Sequence, residues 1–116
     1  MTEFPSFERF KAWLARKPQD DVLTEDWDSS SCPLCLFLNE HGADEALVTP
    51  SDWSTSVVEP TPLPNWAREV VYWMDLIRPR SVTPGEIAFV MELPGWTPAR
   101  WGKPRGQVAH VGRTYL

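Results

Sequence analysis

Between Pro18 and Ala67 the chain has no lysine and no arginine, yet it carries ten acidic residues there. Nucleic-acid binding needs cations along the contact, so that stretch repels phosphate rather than gripping it. Histidine is almost missing: His41 and His110 are the only imidazoles. A nucleophilic triad needs a base held beside its nucleophile, and no Gly-x-Ser-x-Gly surrounds any serine. Only six glycines are present and none forms a phosphate-cradling loop. The carboxylates crowd loops instead of pairing across a cleft, which leaves acid–base catalysis without local support. The chain therefore reads as a binding protein, not an enzyme, with no cofactor. No apolar run approaches the roughly 20 residues of a membrane span. The N-terminus lacks the apolar stretch of a secretory signal, so a cytoplasmic location is expected. Cys32 and Cys35 are the only cysteines, expected as reduced thiols in that compartment.

What is abundant is tryptophan, at seven residues, and proline, at twelve. Each large aromatic buries about 150–250 Å², and a chain of 116 residues hides about two-thirds of its unfolded surface. One compact domain over 1–116 is expected, held without a disulfide or metal. Charge is unevenly spread. Residues 1–17 sum to +2, 18–67 to −10, 68–96 to −1 and 97–116 to +4, for a net −5. An acidic face on this scale suits a basic partner surface; the competing reading is that the two ends fold back and neutralise the middle.

Local signals predict the elements in turn. Ser6 caps a helix over Phe7–Lys17, whose Phe7, Phe10, Trp13 and Leu14 form one stripe before Pro18 stops it. Residues 19–30 form an acidic loop. Ser31 is expected to cap a second helix, Cys32–His41, with Pro33 in its first turn and Gly42 at its stop. Residues 46–48 and 54–59 are the strand candidates, and Pro60, Pro62 and Pro64 hold an extended connector. Asn65 is expected to cap a third helix, Trp66–Arg78. Thr83 and Glu86 form a capping box opening a fourth helix from Pro84 to about Leu93, although strand formers in 86–93 leave a strand open. The tail, 97–116, is basic, with a closing strand possible over 107–116. The expected class is α+β: three or four helices packed on a small, mostly antiparallel sheet drawn from the middle and the tail. A mainly α fold is the alternative.

Three constellations carry possible chemistry. Cys32-Pro33-Leu34-Cys35 at a helix start suits a reactive thiol, because the helix dipole favours thiolate. The preceding residues are polar and acidic instead of a buried strand, and those acids push the thiol the other way; two buried core thiols are the competing reading. Cys32, Cys35, His41 and His110 offer a zinc set, but the histidines lack the usual spacing. Asp20, Asp21, Glu25, Asp26 and Asp28 crowd one loop without the spacing of a calcium site. Arg100, Trp101, Lys103 and Arg105 mix cations with an aromatic, as single-strand binders do; the tail's four charges are thin support for that, and a solvated tail or one docked on the acidic middle is the favoured reading.

The N-terminal third resembles small accessory proteins of bacteriophages and prophages. The likeness rests on Phe7, Phe10, Trp13, Leu14, Pro18, Asp26, Asp28, Cys32, Phe37 and Leu38, and it ends at the tryptophan-rich middle. It brings no catalytic residues. It implies a bacterial host cytoplasm and, among such proteins, anti-CRISPR-like inhibitors that mimic nucleic acid and occupy a basic channel of a protein or ribonucleoprotein. On that expectation Asp20, Asp21, Glu25, Asp26, Asp28, Asp44, Glu45 and Asp52 are partner contacts, with Trp27 and Trp53 as aromatic anchors. A thiol-redox or zinc module at Cys32 and Cys35, and a structural accessory protein, are the alternatives.

Overall fold

A computed structural model of the chain describes residues 3–24, 30–77 and 82–102. The first helix, α1, runs Phe7–Arg16, and the Ser6 hydroxyl accepts from the Arg9 amide at 3.2 Å. Its stripe is buried as expected at Phe10, Trp13 and Leu14. Beyond its end, the Gln19 side-chain amide donates to the carbonyls of Leu14 and Lys17, at 3.0 and 2.7 Å, satisfying groups that a helix end leaves orphaned.

The second helix, α2, is Pro33–Glu40. Its N-cap is Cys32, not Ser31, and the thiol makes no capping bond. At the other end the Ala43 amide reaches the Leu38 carbonyl at 3.0 Å and the Gly42 amide reaches Asn39 at 3.4 Å. This is a Schellman closure, and it needs the φ of +101° that Gly42 supplies.

Three short strands follow: β1 Leu47–Val48, β2 Asp52–Ser54 and β3 Thr61–Pro62, antiparallel in that order. Leu47 faces Ser54 and Asp52 faces Pro62. The strand expected over 54–59 ends at its first residue. Thr55 Oγ1 accepts from the amides of Val57 and Val58, and the Thr55 amide reaches the Val58 carbonyl at 3.0 Å. A local side-chain turn thus outcompetes the β preference of the two valines, leaving Val57 80 % exposed. The proline connector instead supplies β3. Pro62 sits on an edge strand, where a missing N–H costs no ladder bond. All three strands come from the middle of the chain; the closing strand expected over 107–116 lies outside the described residues.

The third helix, α3, is Asn65–Ile77. Asn65 is its first residue and not its cap, for the Pro64 carbonyl already accepts from the amides of Ala67 and Arg68. Asn65 Nδ2 donates instead to the Gly102 carbonyl at 2.6 Å. The fourth helix, α4, is Pro84–Val90 and carries the full capping box: Glu86 N to Thr83 Oγ1 at 3.2 Å and Thr83 N to Glu86 Oε1 at 2.8 Å. The strand alternative is thereby overturned. The helix is shorter than expected, because the chain turns after Val90. Thr83→Ala is expected to cost about 1 kcal/mol, read as a lower urea midpoint with unchanged helical circular dichroism otherwise.

A single 3₁₀ turn, Pro98–Trp101, is capped by the Thr97 hydroxyl and packs on α3, while α1 packs on α4 and α2 on β1. The buried apolar side chains form one cluster spanning α1, α2, the sheet, α3 and α4. Among the described residues, four helices and a three-stranded antiparallel sheet make this an α+β fold.

Candidate protein-interaction surface

The acidic side chains divide by what holds them. Asp20 and Asp21 stand exposed on the loop after α1. That loop is pinned on both sides: the Gly85 amide donates to the Gln19 carbonyl at 3.1 Å, and Leu23 and Thr24 pair with Val82 across an isolated bridge. Asp44 and Glu45 are exposed beyond the close of α2. Asp44 accepts from the Ser56 hydroxyl at 3.3 Å. Glu45 holds a left-handed φ of 56°, a conformation costing a non-glycine residue about 1 kcal/mol or more. The following Ala46 amide is taken up by Asn39 Oδ1. Asp52 is half-buried in β2 and accepts from Ser51 Oγ at 3.1 Å. Glu25, Asp26, Trp27 and Asp28 lie outside the described residues.

Among the described residues two acids, Glu40 and Glu69, tie one element to another. Glu40 Oε1 accepts from Trp13 Nε1 at 2.9 Å and Lys17 Nζ at 2.8 Å, tying α2 to α1. The Lys17 ammonium and the Trp13 N–H together hold its pKa below the usual carboxylate range. Glu69, on α3, is fully buried. Its carboxylate accepts from Trp73 Nε1, the Thr97 amide, Trp101 Nε1, and Arg100 through both Nε and Nη2, all at 2.8–2.9 Å. Burial pushes its pKa up, but the bonds from Arg100, Thr97, Trp73 and Trp101 outweigh that and hold it below the ordinary value. Arg100 also stacks on Tyr72, and Arg68 on Trp101, each 4.4 Å from the ring centre. Arg100 and Trp101, read in sequence as part of a basic tail, are thus fastened to α3 by one buried carboxylate. The signal was present: Glu69 is a charge on the apolar stripe, three residues past Trp66 and four before Trp73.

Three ion pairs occur among the described residues: Lys11–Glu8, Lys17–Glu40 and Arg100–Glu69. None uses Asp20, Asp21, Asp44, Glu45 or Asp52. Trp53, expected as a partner anchor, is only 2 % exposed and belongs to the core, packed edge-on against Phe4 at 5.4 Å. The large apolar side chains that do face outward include Phe89 at 67 %, Leu76 at 60 % and Ile77 at 51 %. Phe89 and Ile77 line a groove of about 420 Å³ between α3 and α4, with Asp20 and Glu86 also in its wall.

Cys32 and Cys35 are buried free thiols. Hydrogen bonding to Cys35 and burial raise the Cys32 pKa well above its ordinary value, the opposite of a thiolate activated for catalysis. His41 Nδ1 lies 2.8 Å from the Phe37 carbonyl and its ring packs on Phe37. Among the described residues no cluster of three or more histidine, cysteine or carboxylate side chains can hold a metal, so Cys32, Cys35 and His41 do not come together as a zinc set. His110 lies outside the described residues. No described helix is long and apolar enough to cross a membrane. No family model, curated protein or solved structure matches this chain.

Proposed function

We propose that this protein is a non-catalytic binding protein whose exposed carboxylates at Asp20, Asp21, Asp44 and Glu45 meet a lysine- and arginine-lined surface of a protein or ribonucleoprotein partner. The observation that carries this reading is the division of the acids. Lys17 and Arg100 are taken up by Glu40 and Glu69, while those four stay exposed and outside every ion pair among the described residues. Unpaired surface carboxylates steer a cationic partner and set its orientation. Phe89, which lines the α3–α4 groove together with Asp20, supplies the apolar foothold that charge alone lacks. The sharper form, inhibition of a nucleic-acid-handling complex in a bacterial host, rests on the resemblance of the N-terminal third to phage proteins.

The test is a panel of purified RNA-guided nuclease complexes, each titrated with the protein and read by DNA binding. The wild type is expected to block binding by one of them, more weakly as salt rises. The variant D20K/D21K/D44K/E45K is expected to bind on the order of 100-fold more weakly while keeping its urea midpoint. Equal inhibition by both proteins discards the acidic surface, and no inhibition across the panel discards the anti-CRISPR-like form.

A further inference from the structure

The two cysteines take no part in the acidic surface, and they carry a separate inference. Cys32 Sγ donates to Cys35 Sγ at 3.4 Å, and the two residues are 3 % and 1 % exposed. Cys32 is the N-cap of α2 and Cys35 lies in its first turn, so the two side chains share one face. A disulfide has an S–S length of about 2.0 Å; the sulfurs are already in contact, and side-chain rotation within one turn covers the remaining approach. Among the described residues no group of three or more histidine, cysteine or carboxylate side chains includes them, so the pair is read as a dithiol and not as a metal site. Burial of the pair keeps out a bulky protein disulfide.

The geometry points to a reversible disulfide between Cys32 and Cys35, formed by a low-molecular-weight peroxide. The hydrogen bond to Cys35 and burial keep the Cys32 thiol protonated, so Cys35 is the attacking sulfur, and the 3.4 Å contact puts Cys32 within reach to resolve it. Its thiolate attacks one peroxide oxygen: an S–O bond forms, the O–O bond breaks, and hydroxide leaves and takes the proton given up by the Cys35 thiol. Cys32 then attacks the sulfenic sulfur. The S–S bond forms, the S–O bond breaks, and the departing hydroxide takes the Cys32 proton as water. Two thiols are oxidised and one hydrogen peroxide is reduced to two waters. An added dithiol reopens the bond and becomes a disulfide itself. The cross-link joins the N-cap of α2 to its first turn, and that helix reaches the core through Phe37 and Leu38. The oxidised protein is therefore expected to resist unfolding more than the reduced one.

Intact mass after hydrogen peroxide, on folded wild-type protein, is the test. Both thiols are expected to vanish together, with the loss of two hydrogens, no accumulating oxygen adduct, a higher urea midpoint and full reversal by dithiothreitol. Dimedone is expected to trap Cys35 in Cys32→Ala; trapping of Cys32 alone, in Cys35→Ala, overturns the order of attack. If either variant fails to fold, the wild-type measurement still decides. Stepwise oxygen addition to single thiols, or two thiols persisting in the folded protein while urea-unfolded protein reacts, overturns the disulfide.

Discussion

Glu69→Ala is expected to remove about 3–5 kcal/mol of folding stability, the cost of breaking a buried ion pair by deleting one partner. That carboxylate is shared by Thr97, Arg100 and Trp101 of the 3₁₀ turn and its cap. Without it Arg100 loses two charge-assisted bonds, and the Trp73 and Trp101 ring N–H groups and the Thr97 amide each lose an acceptor. Glu69→Gln keeps the shape but turns an NH₂ group toward a ring of donors, so it is expected to recover only part of the loss. Urea denaturation reads both. The pH dependence separates charge from packing. The folded pKa of Glu69 lies below its unfolded value, so its contribution is complete above the ordinary carboxylate pKa of about 4.3. It is lost as pH falls through the depressed folded value. The stability gap between wild type and Glu69→Ala is therefore expected to narrow as the solution is acidified through that window. A constant gap would mean that Glu69 acts by volume alone.

Phe37→Ala is expected to cost a similar amount, about 3–5 kcal/mol. Phe37 is fully buried and joins three helices. Its ring centre lies 5.1 Å from Phe10 and 5.4 Å from Trp13 on α1, 6.4 Å from Trp66 on α3, and 4.5 Å from His41. Truncation leaves a cavity walled by rigid aromatic rings, which cannot collapse to fill it. Phe37→Leu retains most of the volume and is expected to cost much less. If both substitutions lowered the urea midpoint equally, edge-on ring geometry and not filled volume would be the stabilising element.

The helices were legible in sequence because their signals are local. Ser6 before a three-and-four stripe, and Thr83 with Glu86 three residues later, each specify a helix start within one turn. The strands were legible only in part: residues 46–48 contain β1, whereas β2 and β3, at three and two residues, are too short for alternation to register, and pairing selects them. Thr97-Pro98 repeats the Thr83-Pro84 signature and caps the 3₁₀ turn, a local signal that the cations around it mask. The acidic excess was plain, yet the direction of each carboxylate was not. Glu40 turns to Trp13 and Lys17, contacts separated by more than twenty residues of chain that no local pattern announces. Trp53 gave no sequence sign of being inward, because composition counts aromatics without placing them.

Zero-length carbodiimide cross-linking, which couples a carboxylate to a touching amine, tests the acidic surface directly. With a captured partner present at low salt, links from Asp20, Asp21, Asp44 or Glu45 to partner lysines are expected, and they are expected to fade as salt rises. Links confined to other carboxylates, or a partner held equally well by the charge-reversed variant, would contradict it.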